Sequence, residues 1–234
     1  MNEFRLSKRL ETVASFIPKG ATLADIGSDH AYLPCYAYLH GYIIKAVAGE
    51  VADGPLRSAK QQVEKAGLSH VISVRKGDGL AVIAPGEVDC ITIAGMGGTL
   101  IANILEAGKN KLSGVKRLIL QPNVGADIVR KWMMSNDWEL IAERILKEDG
   151  RIYEVLVAEK GDGKKPYVDM KAELLLGPFL LKEKNDVFLE KWRHELEQWK
   201  RIVRQLAEKG ETESALAKKR ELEEKIKLVE EALQ

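Results

Sequence analysis

The run Thr22-Leu23-Ala24-Asp25-Ile26-Gly27-Ser28-Asp29-His30-Ala31-Tyr32-Leu33-Pro34 limits what this chain can become more than any other. Residues 22–26 are a short apolar run holding one acid, Gly27 gives a sharp turn, and residues 32–39 can continue as a helix. A buried strand entering a tight glycine turn and then a helix opens a doubly wound nucleotide-binding sheet. The turn lacks the G-x-G-x-x-G of a dinucleotide site, because Asp29 stands at the second glycine position. A carboxylate there repels a diphosphate, which is held by helix N–H groups with no anion nearby. It suits a cationic ligand without phosphate; S-adenosylmethionine, with a sulfonium and an ammonium group, is one. On this loop alone, an ordinary strand–helix turn with solvated acids accounts for the residues equally well.

Downstream, strand and helix patterns alternate. Residues 3–16 place Leu6, Leu10, Val13 and Phe16 at helical spacing, with Arg5, Lys8 and Arg9 on the polar side. Strands are expected at 22–26, 45–49, 71–75, 88–94 and 117–121, with helices between them and a last helix over 126–135. Residues 138–146 and 152–159 read as a hairpin around a polar turn ending in Gly150. A mainly parallel sheet with an antiparallel pair at its edge follows, the layout of a class I methyltransferase core. Each strand's C-terminal end carries glycine with an acid or amide: Asp25, Gly27 and Asp29; Glu50; Gly77, Asp78 and Gly79; Gly95, Gly97 and Gly98; Gln121 and Asn123. Any one of these is explained by turn chemistry. Five in succession on the edge where such sheets bind ligands point to a site.

The polar, glycine-rich segment 161–166 separates this α/β domain, residues 1–160, from a C-terminal part, residues 161–234. Residues 167–180 read as a short transition. From about residue 181, Leu189, Trp192, Leu196, Trp199, Val203 and Leu206 alternate steps of three and four, an a/d stripe. Lys209-Gly210-Glu211 breaks it, and Leu222, Ile226, Val229 and Leu233 resume it on a second helix. The expectation is an antiparallel coiled-coil hairpin. The stripe is satisfied either within one chain, as in a monomer, or between two. Its outer Lys and Arg residues read as a solvated face by pattern, and as an RNA-facing arm in the functional reading.

The 234 residues carry a net charge of +1, so any polyanion site must come from local patches. Cys35 and Cys90 lie far apart, without metal-ligand spacing, and read as core residues in a reducing compartment. No metal site is expected. The N-terminus lacks the apolar run of a signal peptide and no segment is long enough to span a bilayer, which suggests the cytoplasm and no membrane partner.

Leu6-Ser7-Lys8-Arg9-Leu10, Ala24 through Pro34, Gly77-Asp78-Gly79-Leu80, Ile93-Ala94-Gly95-Met96-Gly97-Gly98 and Gln121-Pro122-Asn123, followed by a helical hairpin, resemble the bacterial TrmK family of tRNA (adenine-22-N1)-methyltransferases. The resemblance implies a Rossmann-like domain using S-adenosyl-L-methionine on tRNA. It implies that Gly27 with Asp25, Ser28 and His30 lines the methionine part of the cofactor. Glu50, beside Val51, would take the ribose hydroxyls; Gly77, Asp78 and Gly79 would read the adenine. Ala94, Gly95 and Met96 would lie where the methyl group is presented. Adenine amine methyltransferases carry Asn/Asp-Pro-Pro-Tyr/Phe at that last loop, and Ala94-Gly95-Met96-Gly97 argues against their chemistry.

Adenine N1 has its own lone pair, so alignment and electrostatics carry the reaction. Asp29 is the catalytic candidate, as a carboxylate near the positive charge the ring acquires; capping the next helix or pairing with the cofactor ammonium are its bland alternatives. N1 lies on the pairing edge, so the base must be unpaired or flipped out. Arg5, Lys8 and Arg9 are expected at phosphates, Tyr32 against the base, and Gln121 and Asn123 at the RNA. A methyltransferase of small molecules or proteins, or a non-catalytic RNA-binding module on the same core, are the rival readings.

Overall fold

The structure, a computed structural model, describes residues 2–208 and 212–234. The chain divides into two compact units, Met1–Lys165 and Pro166–Gln234. In the first, β1 (Ala21–Ile26), β2 (Ile43–Glu50), β3 (Ile72–Lys76), β4 (Cys90–Gly97), β5 (Arg117–Val124), β6 (Trp138–Glu148) and β7 (Arg151–Lys160) form one sheet, ordered β3-β2-β1-β4-β5-β7-β6. Pairings among β1 to β5 are parallel, while β7 runs antiparallel to both β5 and β6. Helices α1 (Lys8–Ser15), α2 (Tyr32–Leu39), α3 (Asp53–Lys65), α4 (Gly98–Ala107) and α5 (Ala126–Ser135) alternate with the strands. Central strands are apolar on both faces because helices cover both: Leu23, Ile91, Ile93 and Leu118 to Leu120 are fully or nearly fully buried.

From β1 the chain builds β2 and β3 on one side, then crosses to β4 and β5 on the other. The crevice beyond the C-terminal ends of β1 and β4 is therefore the switch point where such sheets take ligands.

Several elements differ from expectation. The first helix begins at Lys8 rather than residue 3, because the Asn2 carboxamide accepts the N–H groups of Phe4 and Arg5 and folds residues 2–5 into a turn. Ser7 Oγ then caps the helix at the Leu10 N–H. Glu148, at the end of β6, caps it from outside, accepting the N–H groups of Lys8 at 2.6 Å and Arg9 at 3.2 Å. Strand β4 runs on through Gly97, and β5 through Pro122-Asn123 to Val124, where turns were expected. Cys35 and Cys90 are buried core residues, as expected, and burial pushes both thiols up to about 12.

Arg130 on α5 is buried with two carboxylates, its Nε 2.7 Å from Glu143 Oε1 and its Nη2 2.7 Å from Glu154 Oε2.

In the second unit, residues expected as a transition form two short helices, α6 (Met170–Leu176), capped by Asp169, and α7 (Pro178–Glu183). Helices α8 (Asp186–Glu208) and α9 (Glu213–Leu233) follow and pack on each other. Phe188, Trp192, Leu222 and Val229 are buried, and Trp192 stacks edge-on against Trp199. The expected break at Lys209-Gly210-Glu211 lies outside the described residues. Among the described residues no helix is long and apolar enough to cross a membrane.

Candidate functional site

The turn after β1 sits at the switch point and its backbone is wound tightly. Gly27, Asp29 and Ala31 have φ of 70°, 56° and 53°, so two non-glycine residues hold left-handed conformations that cost side-chain-bearing residues energy. Aspartate tolerates this region better than most. Four of the turn's amides are already used. Gly27 and Ser28 donate to the Gly49 carbonyl at 3.0 and 3.2 Å, Ala31 donates to Ser28 O at 3.0 Å, and Asp29 donates to Glu50 Oε1. A phosphate arriving here would find these donors occupied, whereas a dinucleotide site depends on free ones.

Asp25 lies beneath the turn, fully buried. It accepts hydroxyl hydrogen bonds from Ser28 and from Thr92 on β4. Burial pushes its carboxyl up to about 6; the two hydroxyls pull it back and the nearby Glu50 charge adds to the rise. Asp25 thus anchors the turn from below.

Glu50 is 5% exposed at the end of β2. Its Oε1 holds the Asp29 amide, and Oε2 has no hydrogen-bond partner among the described residues. A buried carboxylate with one oxygen spare fits a diol, which can donate to it. Val51 beside it is 62% exposed, an apolar surface at the crevice rim. Gly77 donates to the Glu50 carbonyl at 2.9 Å, which seats Gly77-Asp78-Gly79 next to Glu50. Asp78 is exposed and opens a short 3-10 turn over Gly79–Val82.

Asp29 itself projects outward, its side chain 71% exposed, with His30 Nε2 at 3.8 Å. It does not cap α2: the cap position is Ala31 and no side chain bonds there. His30 stacks on Tyr32 with centroids 5.2 Å apart and planes at 17°, so Tyr32 is half-buried behind His30.

Across the crevice, β4 carries a bulge. Ala94 pairs with Gln121 and Met96 with Pro122, leaving Gly95 as an extra residue at φ 81°. The bulge delivers Met96 onto the glycine turn: a methyl group built on Gly27 would lie 2.2 Å from Met96 Cε. Gln121 is fully buried, and its Oε1 accepts both the Gly95 N–H at 3.0 Å and Arg9 Nη1 at 2.5 Å. Asn123 donates to the Gly95 carbonyl at 2.8 Å and accepts from Gln121 Nε2 at 3.2 Å. The expected direct RNA contact by Gln121 is thus replaced by an inward role, since its amide is consumed within the protein. Arg9 is turned inward too, over the Tyr153 ring at 5.4 Å, while Arg5 and Lys8 are exposed. Glu148, Tyr153 and Thr92 take part in this arrangement without any sequence signal. Each is joined to its partner only by the sheet.

Among the described residues, no cluster of three or more His, Cys, Asp or Glu is placed to hold a metal ion.

The strand order with its reversed β7, and a crevice that offers a carboxylate in place of free amides, define a class I S-adenosylmethionine-dependent methyltransferase fold. The profile of the tRNA (adenine(22)-N(1))-methyltransferase family, TrmK, matches residues 23–231. The tRNA (adenine(22)-N(1))-methyltransferase of Bacillus subtilis strain 168 is 57% identical over 235 residues, covering 100% of this chain and 99% of the relative. The chain belongs to the TrmK family. The crystal structure of the B. subtilis M1A22 tRNA methyltransferase TrmK superposes with a TM-score of 0.95 at 55% identity, covering 99% of this chain and 100% of that one. Streptococcus pneumoniae Sp1610 in complex with S-adenosyl-L-methionine superposes at 0.86 and 44% identity, with 98% and 100% covered.

Proposed function

We propose that the protein transfers a methyl group from S-adenosyl-L-methionine to N1 of adenine 22 of tRNA, with the base unpaired or flipped out of its helix. The observation that carries this reading is the turn after β1. Its amides at Gly27, Ser28, Asp29 and Ala31 are spent within the protein, and it presents an exposed carboxylate instead. Such a turn selects a cationic ligand over a diphosphate.

The bound donor supplies a methyl group activated by positive sulfur. The chain supplies its seat: Asp25, Gly27, Ser28 and His30 around the methionine part, Glu50 and Val51 at the ribose, Gly77, Asp78 and Gly79 at the adenine. Glu50 has a double use here. One carboxylate oxygen fixes the Asp29 amide and the other accepts a ribose hydroxyl. Ala94, Gly95 and Met96 form the opposite wall, low in side-chain bulk, against which a base edge can come close.

N1 of adenine attacks with its own lone pair, so no residue needs to remove a proton first. As N1 bonds to the methyl group, the methyl–sulfur bond breaks and its electron pair stays on sulfur, so S-adenosylhomocysteine leaves as a neutral thioether, positive charge passes to the adenine ring, and the Asp29 carboxylate stabilises it. Asp29 is the one catalytic residue in this reading. Arg5 and Lys8, exposed on the N-terminal segment, take tRNA phosphates, and Tyr32 backs His30 at the base.

The domain over residues 1–160 performs the chemistry, and the helical domain over 161–234 positions the RNA. Arg193 and Arg201 on α8 are exposed and, among the described residues, have no ion-pair partner, which suits them to phosphate. The protein acts as a monomer in the cytoplasm, where its tRNA substrate is found.

The test is transfer of labelled methyl from the donor to unmodified tRNA, followed by digestion to nucleosides. Label in 1-methyladenosine at position 22 is expected. Label in N6-methyladenosine, or none in tRNA, overturns the assignment.

A further inference from the structure

The bulge at Gly95 is built with unusual care. A bulged residue is left without a ladder partner, so its N–H and C=O must bond elsewhere. Here Gln121 takes the N–H and Asn123 the C=O, two side chains from the same neighbouring strand. Gln121 is completely buried, so its amide can be held only by protein groups, and Arg9 Nη1 shares its Oε1 with Gly95. A methyl group built on Gly95 would stand 3.4 Å from Arg9 Nη1, so the guanidinium lies directly over the bulge.

Arg9 is fixed in its turn. Its own amide donates to Glu148 Oε2, and its guanidinium rests on the Tyr153 ring. The first helix is thereby pinned at its start by the β6–β7 hairpin and aimed through one side chain at the bulge in β4.

We infer that Arg9 is a positioning residue for methyl transfer, acting through Gln121 and Asn123 on the Gly95 bulge and so on the Ala94–Met96 wall. This rests on the methyltransferase reading above. The consequence is specific. Arg9 lies on the same helix as the phosphate candidate Lys8, yet the two differ in kind. Lys8 meets solvent, while the charge of Arg9 is directed at a buried amide, where a guanidinium holds an acceptor in a fixed plane. A residue of this type affects the rate on bound substrate and leaves RNA affinity alone.

The experiment compares wild type, Arg9→Met, Gln121→Leu and the double variant, each assayed for single-turnover methyl transfer at saturating donor and tRNA, and for tRNA binding. Each single variant is expected to slow the step at least tenfold, with tRNA affinity within threefold of wild type. The double variant is expected to be no slower than Gln121→Leu alone, because the two residues act in series. Independent, multiplicative losses, or a loss confined to tRNA affinity, overturn the inference. Asn123→Ala, at an exposed position, serves if Gln121→Leu does not fold, and its loss is likewise expected not to multiply with that of Arg9→Met. Amide hydrogen exchange gives a readout that needs no substrate: Arg9→Met should speed exchange at Gly95 at least tenfold, and unchanged exchange there overturns the coupling. A wild-type protein that methylates no tRNA would remove the functional reading, while the exchange data would still decide the coupling.

Discussion

Thr92 on β4 donates its hydroxyl to the buried carboxylate of Asp25 on β1 at 2.7 Å, a side-chain bond across the two strands that frame the crevice. Burial raises the Asp25 carboxyl to about 6, against 3.8 for an ordinary aspartate, so the folded protein holds this proton more firmly than the unfolded chain does. Stability from this group therefore falls as pH rises from about 4 to about 6, by about 3 kcal/mol at most. Asp25→Asn should abolish that component. The check is the difference in unfolding free energy between variant and wild type from pH 4 to 7. It should shift in the variant's favour across the window, and a flat difference refutes the buried-proton account.

Asp29 offers a cleaner substitution than alanine would. Its φ of 56° suits asparagine, which tolerates the left-handed region, whereas alanine adds backbone strain to the loss of charge. Asp29→Asn should lower kcat roughly 100- to 1000-fold, the usual cost of removing one charge-stabilising group. Calorimetric binding of S-adenosylhomocysteine, whose sulfur is neutral and does not draw on the Asp29 charge, should stay within threefold. Wild-type turnover in Asp29→Asn would end its assignment as the catalytic residue.

Arg130 sits between Glu143 and Glu154 with essentially no exposure. Its own burial works against its charge, and the two carboxylates more than offset that, holding it firmly protonated. Arg130→Met leaves two buried carboxylates without their cation, at a cost of roughly 3–5 kcal/mol. Thermal unfolding should show a Tm lower by roughly 10 °C at pH 7. The deficit should narrow toward pH 5, because stranded carboxylates take up protons and lose their penalty.

Arg5 and Lys8 are exposed at the start of the N-terminal helix. If they meet phosphates, Arg5→Ala and Lys8→Ala should each weaken tRNA binding and reduce the slope of log affinity against log salt by about 1. Filter binding between 50 and 200 mM salt measures it. The single-turnover rate at saturating tRNA should be unchanged within twofold in Arg5→Ala, which separates a docking role from the positioning role of Arg9.

Much of the fold was legible because the strands at its centre are apolar on both faces and are punctuated by glycine. The parallel core follows from that pattern, the terminal hairpin from its polar turn, and the helical C-terminal part from the a/d spacing of its apolar residues. What escaped was set by partners distant in the chain. Gly95-Met96-Gly97 reads as a loop, since three such residues carry no strand propensity. It continues β4 because Gln121 and Asn123, 26 and 28 residues away, replace the missing ladder bonds. Arg130 falls in a segment legible only as a helix, and nothing local reveals that Glu143 and Glu154 arrive from two strands to bury it. Glu148 caps a helix 140 residues earlier, a pairing that only the sheet creates. In the site, the glycine turn and Asp29 were visible as a local motif, but the inward turn of Arg9 and Gln121 was not.

Gly98 and Gly125 meet backbone to backbone at the starts of α4 and α5: a methyl group on Gly98 would fall 2.0 Å from the Gly125 carbonyl oxygen. These two loops therefore have no cushion of side chains between them and behave mechanically as a single piece. A chain that acquired even alanine at 98 would have to pry β4's tail from β5's, and the grip of Gln121 and Asn123 on their neighbour would go with it. The seam thus ties the tolerance of one small buried position to the geometry of the whole reaction cleft.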